Sequence, residues 1–506
     1  MGTTASSANG TTEATPTDVD VLIVGAGISG IGAAYHLTTR APGKSYLVLE
    51  GREAIGGTWD QFRYPGIRSD SDMPTFGFGF KPWTNKNSIA AAPVILDYLR
   101  ETVTENGIAD HLRFSHRVVS AEFSSATGRW TVVAHHAGSA EPVTFTARFL
   151  FSGTGYYDYE SGYAPEFTGS EDFAGQIVHP QHWPADLDYT GKRVVIIGSG
   201  ATAVTLVPAM AGTAAHVTML QRSPSYVLSL PGQDAVANTL NRVLGPERAH
   251  PIIRRKNIAQ QRAIYKFCQR FPKLARRLLM ADVRRRLPEG YDVETHFGPQ
   301  YDPWDQRLCM VPDGDMFTAI SSGAATVVTD RIDRFTPTGV QLVSGQHLDA
   351  DIVITATGLN MLPIGGIDLH VDGEKVDLPT TTVFKSMMLS GVPNFAFAMG
   401  YTNSSWTLKV DLVCEHFCRL LEHMDTHSYA TAVPVLEDPT VEQRPLFDLS
   451  AGYVRRGINN FPKAGTHGSW TAAMAYEQDA ARLRRGPVED PALRFEPARR
   501  ALRVAA

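Results

Sequence analysis

Cysteine is scarce in this chain: 506 residues contain four, Cys268, Cys309, Cys414 and Cys418. So few, at such irregular spacing, exclude a disulfide scaffold and favour a reducing compartment, the cytoplasm. Surplus positive charge is missing as well. The formal net charge is -5 at pH 7, and that balance implies no nucleic-acid partner. No apolar run approaches the roughly 18 residues needed to cross a bilayer, so any membrane association is expected to be peripheral. The opening "MGTTASSANGTTEATPTD" lacks both the basic and the apolar stretch of a secretory signal, and residues 1–17 are expected to form a disordered tail.

What is present is a chain long enough for two or three domains, with the 43% hydrophobic and 20% charged residues of an ordinary globular protein. "VDVLIVGAGISGIGAAYHL" (19–37) passes from an apolar run through a glycine-rich turn to a helical pattern. "YLVLE" (46–50) follows as a second strand ending in an acid. The layout recurs in "RVVIIGSGATAVTLVPAM" (193–210) and "HVTMLQRS" (216–223). Between them, 113–136 and 143–155 alternate like antiparallel strands, and "LDADIVITATGLNMLP" (348–363) supplies a later apolar strand. The expected fold is therefore α/β, with two dinucleotide-binding Rossmann-like domains. The second, 186–345, is inserted into the first, which is made of 18–185 and 346–506. Within the insert, 236–290 carries 14 Arg or Lys against 3 Asp or Glu, leaving -16 for the rest of the chain. This segment reads as a solvated helical subdomain; an amphipathic surface drawn to anionic membrane or to a phosphorylated cofactor stays open as the alternative.

Gly25, Gly27 and Gly30 provide a tight turn, close approach of backbone to a pyrophosphate, and helix–strand packing, and Glu50 stands where an acid binds both ribose hydroxyls. FAD or NAD fits this site. In the second motif, Gly198, Gly200, Ala201 and Thr202 lead to a strand that ends in Gln221, Arg222 and Ser223. A guanidinium there pairs with a 2'-phosphate, which favours NADPH; an ordinary exposed charge is the other reading of Arg222. Two nucleotides in one chain suggest hydride flow from NADPH to a flavin. No cysteine precedes Cys268, which argues against a disulfide acceptor beside the flavin, and molecular oxygen becomes the natural acceptor. Cys414 and Cys418 have helical spacing that packs both sulfurs inward, so no metal site is expected of them.

"FAGQIVHPQHWP" (173–184) then explains itself through a resemblance. Phe173, Gly175, His179, Trp183 and Pro184 match the fingerprint of type I Baeyer-Villiger monooxygenases, class B flavoprotein monooxygenases. "GGTWDQFRYPGIRSDSDM" (56–73), "PWDQRLC" (303–309) and "GYTNSSWT" (400–407) most resemble the ethionamide-activating subgroup. The resemblance implies an FAD- and NADPH-dependent enzyme that forms a C4a-peroxyflavin with O2 and inserts one oxygen beside a ketone carbonyl, giving an ester or lactone, and that also oxidises thioethers to sulfoxides. It makes Asp70 and Arg307 an ion pair near the flavin, with the arginine steadying negative charge. It assigns cofactor contacts to Gly57, Thr58, Trp59, Tyr64, Asp70, Ala356 and Thr357, and makes the fingerprint a linker that couples domain movements. Two positions depart from the family pattern: Gln306 replaces a lysine that contacts the NADP phosphate, and Ser69 replaces a cysteine. Two other readings remain: a monooxygenase acting mainly on sulfur or nitrogen, and an NADPH oxidase or redox sensor without a dedicated substrate.

Overall fold

The computed structural model describes residues 16–306, 308–447 and 451–497. Strand β1 (Thr17–Val24) leads into helix α1 (Ile28–Arg40) and strand β2 (Tyr46–Leu49). Val21, Leu22 and Ile23 are completely buried, the signature of a parallel strand covered on both faces. β3 (His116–Ser124), β4 (Arg129–His136) and β5 (Val143–Ser152) form an antiparallel meander, as their alternation predicts. β5 then lies parallel to β1, so the meander continues the same nine-stranded sheet rather than forming a separate layer.

The second sheet is five-stranded and wholly parallel. Its strands are β6 (Gln176–Val178), β7 (Arg193–Ile197), β8 (His216–Gln221), β9 (Ala325–Thr329) and β10 (Ile352–Thr355), in the order β9-β8-β7-β10-β6. Helix α2 (Ala201–Met210) follows the second glycine turn. Both Rossmann-like units are thus present. The expected boundaries of 186–345 need correction, because β6 and β10 lie outside that range yet belong to this sheet. The chain crosses between units at 162/163 and again at 358/359. There, Tyr157–Gly162 pairs with Leu359–Met361, and the Tyr163 amide donates to the Gly358 carbonyl at 3.0 Å.

The basic segment folds as three helices, α3 (Ala235–Leu244), α4 (Pro246–Arg270) and α5 (Pro272–Arg286), close to the helical range expected from sequence. A short helix, α6 (Asp315–Ser321), packs on α2, and a long helix, α7 (Thr407–Thr426), packs on α1. Cys414 and Cys418 are buried in α7 as their spacing predicts. Of the expected tail, residues 1–15 lie outside the described residues, while Thr17 already begins β1. Among the described residues no helix is long and apolar enough to cross a membrane.

Candidate active site

The two glycine turns solve the same steric problem. Gly25 and Gly198 adopt φ values of +97° and +139°, and a Cβ on Gly198 would stand 2.3 Å from the Ala356 carbonyl oxygen. Gly30 has a different constraint: a Cβ there would lie 1.8 Å from the Gly25 carbonyl oxygen, so α1 closes on its own turn only with glycine. Neither α1 nor α2 has a side chain capping its N-terminus, which leaves oriented backbone donors at both ends for an anion.

Glu50 closes the first turn. Its carboxylate accepts the Ala26 amide at 2.7 Å and the Arg52 amide at 3.0 Å. Burial pushes its pKa above the ordinary value, opposed by those two amides and by the Arg52 charge. Arg52 is itself held by Asp60 at 2.6 Å.

A cavity of about 670 Å³ runs between the units, within the range of cofactor and ligand sites. Gly25, Gly27, Glu50, Gly57, Thr58, Trp59, Tyr64 and Asp70 line it from the first unit, and Ala201 and Thr202 from the second. Gly30, Gly198, Gly200, Arg222, Ser223, Ala356 and Thr357 do not. Gly30, Gly198 and Ala356 instead form the close contacts that shape the turns, and the Thr357 hydroxyl donates to the Tyr163 carbonyl at 2.6 Å. The Ser199 hydroxyl donates to the Ser223 carbonyl at 3.0 Å, tying the second turn to the loop after β8. Arg222 is exposed at the end of β8, whereas Gln221 is buried and donates to the His296 carbonyl at 2.7 Å.

The segment "RYPGIRSD" (63–70) is where the units meet. Gly66 lies so close to α2 that a Cβ would be 2.6 Å from that of Ala209. Arg68 pairs with Asp315 of α6 at 2.5 Å. The Tyr64 hydroxyl is hydrogen-bonded to Thr202, and its pKa is pushed up to about 12 by burial, against which that bond acts. Asp70 faces the cavity at the end of this segment and accepts from the Ser71 hydroxyl at 3.4 Å. Ser69, where the family has cysteine, accepts the Ala90 amide on its hydroxyl at 3.1 Å. Arg307 lies outside the described residues, but Met310, three residues on, lines the cavity.

Most of the fingerprint packs with the second unit, at the place where the chain passes into it. Phe173 packs on Phe335 in a small core beneath the second sheet, and Gly175 passes so close to the Asp351 carbonyl oxygen that a Cβ would be 2.3 Å away. His179 follows β6, accepts the Gln181 amide on Nδ1 at 3.2 Å and donates from Nε2 to the Gly358 carbonyl at 3.3 Å. It therefore bonds the incoming segment to the outgoing one. Burial holds its pKa below the ordinary value. Trp183 packs partly buried against the second unit's core, and Pro184 is exposed.

Several cavity residues were not singled out individually in the sequence. The Trp406 indole donates to the Ser29 hydroxyl at 2.8 Å, and the Tyr159 hydroxyl shares a 3.0 Å hydrogen bond with Thr58. Trp406 lies in "GYTNSSWT", whose conformation periodicity does not disclose. For Tyr159 the only local signal was its place shortly after "SGTG" at the end of β5.

The N-terminal ends of α1 and α2 both reach one cavity, and no cysteine is among its described lining residues. The chain belongs to the flavin-binding monooxygenase-like family: that family's model matches residues 85–361, and a model of the NAD(P)-binding Rossmann-like domain matches residues 23–88. It is 53% identical over 478 residues to the FAD-containing monooxygenase EthA of Mycobacterium tuberculosis strain H37Rv, covering 94% of this chain and 97% of that protein. To the probable FAD-binding monooxygenase AlmA of Acinetobacter baylyi it is 48% identical over 480 residues, covering 94% and 96%. In fold it is similar to an oxidized steroid monooxygenase bound to NADP, with a TM-score of 0.73 and 22% identity over 95% of this chain and 100% of the other. An open structure of cyclohexanone monooxygenase gives a TM-score of 0.70 at 19% identity, covering 83% and 90%. The protein is a flavin monooxygenase of α/β architecture.

Proposed function

We propose that this enzyme uses FAD and NADPH to insert one oxygen atom of O2 beside the carbonyl of a small ketone, giving an ester or lactone, and that the same cavity oxidises thioethers to sulfoxides. The observation that carries this reading is the single cavity onto which Glu50, Asp70 and the N-termini of α1 and α2 all face. Both nucleotides fit the residues present. Glu50 is a buried acceptor beside the first turn, suited to a ribose diol. Uncapped N-terminal amides suit the pyrophosphates, and the exposed Arg222 suits a 2'-phosphate. A bound flavin supplies the hydride acceptor and the activation of O2.

The chain's own contribution is to bind, orient and exclude water. Arg307 provides fixed positive charge where negative charge develops on oxygen as the carbonyl is attacked, and Asp70 holds that guanidinium in place. Contacts from 63–70 to α2 and α6 join the units along the cavity wall that carries Asp70, and exclusion of water by the bound cofactors would strengthen the action of that charge.

Oxygen-dependent NADPH consumption, followed with phenylacetone and separately with methyl phenyl sulfide while peroxide is measured, tests the reading. Ester and sulfoxide should appear in proportion to NADPH consumed. Peroxide alone, with neither product, would replace it with an oxidase; sulfoxide without ester would restrict it to sulfur oxygenation.

A further inference from the structure

Seven of the eleven large hydrophobic side chains that stand exposed among the described residues sit on or between α3, α4 and α5. They cluster at the two ends of α4. Val243, 71% exposed, and Ile252 mark one end; Phe271, Leu274 and Leu278, 44–54% exposed, mark the other. Leu274 and Leu278 are four residues apart in α5 and so share one helical face, and Phe271 stands exposed at the non-helical joint just before it. Between the ends, Arg248, Ile252, Arg255, Ala259, Lys266 and Arg270 recur at helical spacing along the outer side of α4, all exposed. At 25 residues, α4 is about 37 Å long, so this is an extended cationic ridge with an apolar foot at each end.

The inner side of the same helix is committed to the protein. Arg254 pairs with the buried Asp411 at 3.0 Å and donates to the carbonyls of Pro74, Thr75 and Gly77. Gln261 accepts the hydroxyl of Ser404, a cavity-lining residue, at 2.9 Å. By contrast Arg255, Lys266, Arg270, Lys273 and Arg277 have no ion pair or hydrogen bond to a described residue. Arg270 lies over the Phe271 ring, 5.5 Å from its centroid, and these cations recur along α4 and α5 without an anionic partner among the described residues; no described helix is apolar enough to span a bilayer.

We propose that the outer face of α4 and α5 docks on the surface of an anionic phospholipid bilayer. Phe271, Leu274 and Leu278 enter the headgroup boundary and the surrounding cations meet lipid phosphates, the division of labour of a helix lying in the interface plane. Charge decides for lipid over a symmetric pairing of two copies, since two such ridges face to face repel. Because the inner side of α4 holds the loop around Phe76 and Ser404, docking sets the cavity wall beside the membrane, where apolar substrates concentrate. Binding requires no turnover and stands apart from the oxygenation reading.

The test is flotation of the full-length, flavin-loaded protein with vesicles of phosphatidylcholine alone or with about one-third phosphatidylglycerol. Wild type should float with the anionic vesicles, lose them as salt rises, and ignore the neutral ones. Each cation near the surface is worth about fivefold in partitioning, so Lys273→Glu with Arg277→Glu should weaken flotation by more than about tenfold. Leu274→Ser with Leu278→Ser should weaken it as well, and Leu278→Trp should show a blue shift in emission on anionic vesicles alone. All four side chains are exposed, so flavin content and melting temperature should hold. No flotation of wild type, or flotation that both double variants retain, overturns the proposal. So does a dimer, seen by light scattering without lipid, that Leu274→Ser with Leu278→Ser dissolves, since that face would then meet a second copy.

Discussion

Arg222 stands exposed at the end of β8 without a hydrogen bond or ion pair to a described residue, so its guanidinium can turn wholly to a ligand. Arg222→Ala should raise the KM for NADPH about ten- to a hundredfold, the cost of a charge-assisted contact, while leaving that for NADH nearly unchanged. Equal effects in steady-state kinetics with the two coenzymes would remove Arg222 from the 2'-phosphate. Arg307→Ala should retain FAD yet yield peroxide in place of ester, with product formation down on the order of a hundred- to a thousandfold by gas chromatography. Asp70→Ala should show a milder loss, since it loosens the cation rather than deleting it. Ester at near wild-type rates from the Arg307 variant would show that another cation does this work. Single residues were legible where their chemistry is local. Glycine runs and Glu50 announce themselves through steric and hydrogen-bonding needs within one turn. Trp406 does not, because its partner Ser29 is 377 residues away in sequence and nothing nearby encodes the pairing.

Among elements, the turn–helix joint at α1 has the least tolerance. Gly30→Ala places a methyl 1.8 Å from a backbone carbonyl oxygen that cannot move without opening the turn. The expected outcome is a destabilisation of about 3 kcal/mol or more, seen as a lower melting temperature together with loss of bound flavin during purification. An unchanged melt would mean that the turn yields more readily than its contacts indicate. The strand–turn–helix elements and the helical segment were readable because continuous apolar runs and helical periodicity are strong signals. β6 was not: it is three residues long and lies at the edge of its sheet, so Gln176 and Ile177 are exposed and the apolar pattern that marks β7 is missing. The expected boundary therefore fell too late, after β6 instead of before it.

For the molecule as a whole, acid is the natural destabiliser. His179, His250 and His296 have pKa values below the ordinary one, chiefly through burial, and His416 is pulled down to about 3 by burial and the nearby Lys385 charge. Below pH 6.5 the unfolded chain takes up protons that the folded one refuses, so stability should fall as pH drops from 7 towards 5. His416→Gln should reduce that slope by up to about 1.4 kcal/mol per pH unit in urea melts. A slope unchanged by the substitution would place the acid sensitivity elsewhere. The overall α/β plan and the presence of two nucleotide-binding units were legible because each unit opens with its own complete motif, whereas their seam is made of contacts such as Arg68 with Asp315 that join segments 247 residues apart. That seam has one more consequence. Residues 163–358 leave and rejoin the first unit through adjacent, hydrogen-bonded strands, so the second unit is topologically a cassette. Expressed alone, it should fold with a cooperative thermal transition. Transplanted from a relative at the same two positions, it should carry coenzyme preference with it and leave flavin retention to the host; failure to melt cooperatively in isolation would show instead that the halves must fold together.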